Sequence, residues 1–351
     1  MLRQGLSKRR LVKMLLFPVL SIVVCGLAFK LLKYGRLFYI FNHGRKEVVN
    51  KLKESFGKQE SHKVNIIVIV VDGGRPDAYV VARAINIFNL TQRGAYTFTA
   101  KTIMPSWTLP AHISLGTGLG SEKHGLISNR IDFTDPKVIS RLSALVTVFD
   151  FAQLAGLRVV GICMDNPKTN DRALKIFANI GGVDHLEVVR GGIDKIIDKA
   201  TLYLNTNDYI LLGVHLGEVD EVGHEYGWMS PEQLEAVRHV DEVIGRFLVA
   251  LDNSVKRDNT YVIVTSDHGG HGKDHGMDIP EDMTIPWFIV GPGVRAGHKI
   301  RGVLDGGNSR PVRIYDTAAT ILHILGMKAP SDWDGRPVLD AFRRDSLLSK
   351  P

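Results

Sequence analysis

Three stretches of this 351-residue chain place acidic and imidazole side chains directly after apolar runs. Asp72 follows residues 64–71, Asp267 and His268 follow residues 261–265, and residues 209–214 lead through His215 to Asp220 and then His224. Carboxylates gathered in one cleft repel one another, and divalent cations relieve that repulsion. Mixed carboxylate and imidazole donors suit zinc, with manganese or iron as substitutes. Thr108, inside Pro105-Ser106-Trp107-Thr108-Leu109-Pro110-Ala111-His112, adds a hydroxyl. A free hydroxyl is scarcely ionised at neutral pH, and coordination to a divalent ion would make it a nucleophile. Taken singly, an Asp after a strand is a common turn residue and a Thr before Pro a common turn threonine. The reading rests on their coincidence.

The elements that must position these groups are legible in outline. Residues 64–71 are apolar except for Asn65 and rich in Val and Ile, as in a strand buried on both faces. Residues 157–163, 209–214, 261–265 and 287–290 have the same character. Helical patterns lie between them. The clearest is 230–252, with Ser230 as cap, Pro231 in the first turn, Gln233 completing a capping box, and apolar residues at helical spacing. A second helix ends at Gly156 and a third spans 316–326. Parallel strands need crossover helices, so the alternation predicts a three-layer α/β/α sandwich around a mostly parallel sheet. In such sheets, functional groups gather beyond the carboxyl ends of the strands.

The motifs resemble those of the type I phosphodiesterase/nucleotide pyrophosphatase family, a branch of the alkaline phosphatase superfamily. Val71-Asp72-Gly73-Gly74-Arg75-Pro76-Asp77 is similar to its opening motif, and residues 105–112 with Gly116-Thr117-Gly118 and His124-Gly125 to its nucleophile segment. Asp220-Glu221-Val222-Gly223-His224 and Ser266-Asp267-His268-Gly269 match its metal motifs, and residues 316–322 and 334–336 its closing helix and tail. The resemblance implies two neighbouring divalent ions, usually both zinc. Asp72, Asp267, His268 and the Thr108 oxygen would hold one. Asp220, His224 and a later histidine would hold the other, His275 being preferred to His271 because His275-Gly276 fits the family's His-Gly pair. It further implies hydrolysis of a phosphodiester or phosphomonoester substrate through a phospho-threonine intermediate on Thr108.

One departure stands beside the matches. Where nucleotide pyrophosphatases commonly carry Asn, whose amide donates to a nonbridging phosphate oxygen, this chain has Ala111. Another group must support that oxygen, or the substrate is not a typical nucleotide. A membrane-bound phosphoethanolamine-type phosphotransferase shares these metal motifs and is the alternative reading. A sulfatase needs Cys or Ser in a Cys/Ser-x-Pro-x-Arg segment, which residues 108–112 do not offer, and a noncatalytic binding protein would be marked by a lost ligand. His112, His124, Arg75 and Asp77 read as structural, His215 as a residue lining the cleft, and residues 166–171 and 278–282 as solvated loops.

Charge is unevenly distributed. Residues 1–63 carry 14 Lys/Arg against 3 Glu, whereas the remainder holds 30 Lys/Arg against 34 Asp/Glu. The basic character is therefore confined to one segment, which suits anionic lipid headgroups better than a nucleic-acid partner. Lys8, Arg9, Arg10 and Lys13 precede an apolar run at 14–29, the pattern of a signal anchor, with a cleaved signal as alternative. Residues 1–43 are thus expected to form a single-pass anchor and basic juxtamembrane segment contacting membrane lipid. Residues 44–63 would be a polar spacer, and 64–345 the catalytic domain, facing outward by the positive-inside rule. Two cysteines, Cys25 and Cys163, provide no disulfide framework.

Overall fold

The computed structural model describes residues 44–55, 63–130, 132, 135–164 and 182–344. The anchor expected at 1–43 and the loop expected at 166–171 lie outside the described residues. No helix among the described residues is long and apolar enough to cross a membrane. The chain divides into two compact units. To the smaller belong the described residues 44–50, 132 and 135–144, which are largely helical and include the helix Pro136–Ala144. The larger unit contains everything that follows.

Its frame is an eight-stranded sheet in the order β4-β3-β5-β1-β6-β7-β2-β8. These are β1 Asn65–Val71, β2 Ala95–Lys101, β3 Arg158–Met164, β4 His185–Val189, β5 Ile210–Leu216, β6 Thr260–Ser266, β7 Thr284–Val290 and β8 His298–Lys299. β1 lies centrally between β5 and β6 and is parallel to both, and all seven of its residues are buried, as its unbroken apolar run requires. Only β7 runs antiparallel, pairing with β6 on one side and β2 on the other. β2 was not evident in the sequence, because its alternation in Ala95-Tyr96-Thr97-Phe98 is short and polar-interrupted.

Helices cover both faces. Ile67, Ile69 and Val71 pack in one cluster with Tyr79, Ile87, Ile196, Val240 and Ile244, which come from helices Pro76–Ala82, Ile85–Arg93, Gly192–Tyr203 and Pro231–Asp252. Val68 and Val70, which point the other way, face Leu115, Val148 and Ile321 of helices Thr108–Thr117, Val148–Leu154 and Asp316–Ile324. The expected three-layer α/β/α sandwich is thereby observed. One detail differs. Ser230 accepts from the Gln233 N–H at 3.2 Å, but the Gln233 side chain takes the N–H of Met229 at 3.1 Å rather than that of Ser230. Met229 has a left-handed φ of 69°, and the reciprocal half of the capping box is shifted by one residue.

Candidate metal centre

Asp72 and Asp267 leave β1 and β6 one residue beyond the register partners Val71 and Ser266. The turn between them is built on glycine. Gly73 has φ of 68°, and a Cβ on Gly74 would lie 2.4 Å from Ser266 Oγ and 2.7 Å from the Tyr79 hydroxyl. Gly73 N–H and His268 N–H both donate to Asp267 Oδ1, at 3.2 and 2.9 Å. His215, from the end of β5, places Nε2 3.0 Å from Asp72 Oδ2. One oxygen of each carboxylate is thus anchored. The other oxygens, Asp72 Oδ1 and Asp267 Oδ2, are buried without a hydrogen-bond partner, and so is Asp220 Oδ1. Asp220 stands in the first turn of the helix Glu218–Tyr226 that follows β5.

Imidazole nitrogens meet these orphaned oxygens. His268 Nε2 lies 3.1 Å from Asp72 Oδ1, 3.5 Å from Asp267 Oδ2 and 3.2 Å from Thr108 Oγ1. His275 Nε2 and His224 Nε2 lie 3.7 and 3.5 Å from Asp220 Oδ1. The rings of His268 and His275 stack at 3.7 Å. Each of the three histidines spends Nδ1 on a backbone carbonyl, Gly269 for His268, Lys273 for His224 and Ser106 for His275, at 2.7–2.9 Å. A carbonyl only accepts, so Nδ1 carries a proton and Nε2 is the nitrogen left to face a metal, as a metal ligand requires. His271 differs: its Nδ1 bonds Asp282 Oδ1 at 2.7 Å. That pairing corrects the reading of 278–282 as a solvated loop. Asp282 is fully buried and its second oxygen accepts from Met277 N–H, so its charge is satisfied inside the protein.

Without a cation the cluster is electrostatically frustrated. Burial and the neighbouring Asp72 push Asp220 well above the usual carboxylate range and Asp267 up to about 7. Burial acts on Asp72 as well, but the neighbouring His215 and His268 outweigh it and hold its carboxyl well below that range. His268, although burial opposes its charge, is raised to about 10 by Asp267 and Asp72. Burial and the charge of His268 drive His275 down to about 3. Orphaned oxygens, imidazole Nε2 atoms turned toward them and crowded carboxylates form the donor set of a divalent cation site. Three-member groups that fit one are Asp72, Asp267 and His268; Asp220, His268 and His275; and His112, His215 and Asp267, the last outside the ligand sets expected from sequence.

Thr108 opens the helix Thr108–Thr117 and is buried. His112, one turn later, bonds the Thr108 carbonyl through Nδ1 at 2.8 Å and lies 3.6 Å from Asp267 Oδ2. His124 bonds Ser114 at 3.0 Å, and Arg75 joins Asp77 to the Gly270 carbonyl, so both serve the frame as expected. Ala111 is completely buried and offers no donor. Two contacts escaped the sequence reading. His215 does not merely line a cleft but grips Asp72, and Asn129 places Oδ1 2.9 Å from the Leu109 N–H, directly after Thr108. Nothing in the sequence marks Asn129, a polar loop residue twenty positions downstream.

Known proteins are similar to this chain in sequence or in fold. Human ectonucleotide pyrophosphatase/phosphodiesterase family member 7 is 29% identical over 174 residues, covering 46% of this chain and 38% of that protein. Its rat counterpart is 25% identical over 228 residues, covering 60% and 51%. The chain thus spans about half the length, or less, of these relatives. A Drosophila melanogaster extracellular sulfatase SULF-1 homologue is 32% identical over 117 residues, which is 32% of this chain and 10% of that protein. Among solved structures, an inactive form of murine ectonucleotide pyrophosphatase/phosphodiesterase 5 in complex with AMP superposes with a TM-score of 0.64 at 16% identity, covering 80% of this chain and all of that one. That likeness shows a shared fold. The family model for type I phosphodiesterase/nucleotide pyrophosphatase matches residues 66–281, well over half of the chain, and the chain belongs to that family.

Proposed function

We propose that this chain is a metal-dependent hydrolase of phosphate esters, phosphodiesters foremost, with Thr108 as its nucleophile. The observation that carries the reading is the convergence of three buried, unpartnered carboxylate oxygens with imidazole nitrogens and the Thr108 hydroxyl. Asp72, Asp267, His268 and Thr108 Oγ1 would hold one cation, and Asp220, His224 and His275 a second, zinc suiting both sets. When bound, such ions would lower the pKa of the Thr108 hydroxyl and offset the charge of the phosphoryl oxygens.

The chain's own residues do the rest. His215 and the N–H groups of Gly73 and His268 fix the ligand carboxylates, and the three carbonyl-bound histidines keep their rings aligned. Thr108, held at the start of a buried helix, would supply the attacking oxygen. A bond forms from Thr108 Oγ1 to phosphorus as the bond to the ester oxygen breaks and that oxygen leaves as the alcohol. Water then cleaves the phospho-threonine and restores the hydroxyl. Residues 1–43 would tether this domain to a membrane and leave it facing outward. Supporting that part are the apolar run at 14–29 with its basic flanks and the ecto- and extracellular designations of the human and fly relatives.

The test is turnover of bis(p-nitrophenyl) phosphate, p-nitrophenyl phosphate and p-nitrophenyl sulfate by the zinc-loaded full chain and its Thr108→Ala variant. Phosphodiester turnover that disappears in the variant is expected. Retained turnover in Thr108→Ala would sink the nucleophile assignment, and preference for the sulfate would sink the substrate class.

A further inference from the structure

We propose that Trp228 is a positioning residue for the second cation: its indole joins the three ligand-bearing loops and walls the rings of His224 and His275. The inference deepens the proposed function and rests on its two-cation reading. Trp228 lies just beyond the helix Glu218–Tyr226, where Gly227, at a left-handed φ of 105°, turns the chain. The residue is buried, and both of its N–H groups reach other loops. The backbone N–H donates to the Gly272 carbonyl at 2.7 Å, which ties the helix end to the segment that leads to His275. The indole Nε1–H donates to the Gly73 carbonyl at 2.9 Å, in the turn that follows Asp72. An indole nitrogen only donates, so this acceptor settles how the ring lies.

The ring occupies a slot made by three glycines, one from each loop. Gly73 follows Asp72, Gly223 precedes His224, and Gly270 stands two residues after His268. A Cβ on Gly73 would come within 3.1 Å of the indole, one on Gly223 within 2.9 Å, and one on Gly270 would fall inside it. Side chains at these positions would therefore displace the ring. Filling the slot, the indole meets His224 edge-on at 5.2 Å between centroids and His275 at 5.9 Å. Each of these imidazoles is held at Nδ1 by a carbonyl, which fixes one atom and leaves the ring able to swing about it. The indole blocks that swing and keeps both Nε2 atoms on Asp220. His224 depends on the wall most, because its side chain is 40% exposed and has little else around it. The first set differs: His268 is completely buried, and Asp72 is held from the opposite side by His215.

Calorimetric titration of the metal-free full chain with zinc separates positioning from packing. Wild type should take up two ions. Trp228→Leu, which removes the wall, should keep the first ion near wild-type affinity and bind the second about 10–100-fold more weakly. Trp228→Phe, which keeps an aromatic wall, should recover most of that loss. Gly223→Ala tests the same contact with the tryptophan in place. Alanine suits a helix better than glycine, yet its methyl would push the indole out of the slot, so this variant should also weaken the second ion. In the Trp228→Leu background the methyl has room, and Gly223→Ala should add little to the loss. Wild-type affinity for the second ion in Trp228→Leu overturns the inference, and so does an equal loss of both ions, which packing alone would produce. Should Trp228→Leu not fold, wild-type affinity for the second ion in Gly223→Ala overturns it. Uptake of fewer than two ions by wild type would instead overturn the two-cation reading, and this inference with it.

Discussion

Asp72 and Asp267 stand side by side because Val71 and Ser266 are register partners on adjacent parallel strands. Each carboxylate keeps one oxygen on a fixed donor and turns the other, unpartnered, into the same buried space where Asp220 Oδ1 also ends. The sheet thereby forces together charges that it cannot neutralise by itself. Burial and Asp72 oppose the ionisation of Asp220 and Asp267, which destabilises the metal-free fold, and a cation would reverse the sign of that contribution.

Asp220→Asn separates those two effects. Without metal, the substitution removes a buried carboxyl whose ionisation is opposed by burial and by Asp72. The metal-free variant should be more stable than metal-free wild type at pH 8 by on the order of 1–3 kcal/mol. The same variant should lose most of the rise in melting temperature that zinc produces in wild type, because binding to the native state stabilises by mass action. Thermal melts with and without chelator measure both. A metal-free Asp220→Asn protein that melts below wild type would contradict the account of the site as charge-frustrated.

His275 and His271 are four residues apart, yet only His275 presents Nε2 to Asp220, while His271 is committed to Asp282. His275→Ala should weaken zinc binding by more than about 100-fold, beyond the range typical of changes outside the coordination sphere. His271→Ala should leave zinc binding near wild type and lower stability instead, since Asp282 would lose a partner in a buried position. Competition with a fluorescent zinc chelator decides the matter. Equal losses of affinity in the two variants would undo the distinction.

His215 bonds the outer oxygen of Asp72 at 3.0 Å, and its ring meets that of His112 edge-on at 5.0 Å. His215→Ala should lower zinc affinity by about 10–100-fold, and His215→Gln, which retains a donor, should recover part of it. The same competition assay measures it, and unchanged affinity in His215→Ala would show that Asp72 needs no such support.

The strand ends were readable in sequence because a strand buried on both faces is uniformly apolar, and the first polar residue after it marks the exit. β1, β5 and β6 are of that kind, and their exits supply Asp72, Asp220 and Asp267. β2 and β4, only partly buried and partly polar, gave no comparable signal. The ligand motifs were local in sequence and so were legible. Contacts made by folding alone were not: the Asn129 bond to Leu109 spans 20 residues and the His215 bond to Asp72 spans 143. The burial of Asp282 likewise depended on His271 and the turn between them, which no composition of residues 278–282 announces.

One pH-dependent tie lies outside the centre but bears on it. Glu218 opens the helix that carries Asp220 and His224, and His239 Nδ1 holds Glu218 at 2.8 Å while its Nε2 holds Asp194 at 3.0 Å. Arg246 closes the group on Asp194 at 2.7 Å. Burial works against the charge on His239, but Glu218 and Asp194 together outweigh it and raise its pKa above the ordinary value. A histidine whose folded pKa is raised contributes stability that is fully present below its unfolded value of about 6.5 and is lost as pH climbs through the folded value. Its side chain is 34% exposed, so screening limits the effect to about 0.2–1 kcal/mol. His239→Gln should therefore melt below wild type at pH 6, with the gap closing by pH 9. A gap that is constant across that range would mean that His239 contributes packing and no charge. Measured with zinc bound, the same pair of proteins tests whether the tie matters to the site: looser positioning of the Glu218–Tyr226 helix should weaken zinc binding at pH 6 more than at pH 9, after correction for the pH dependence of wild type.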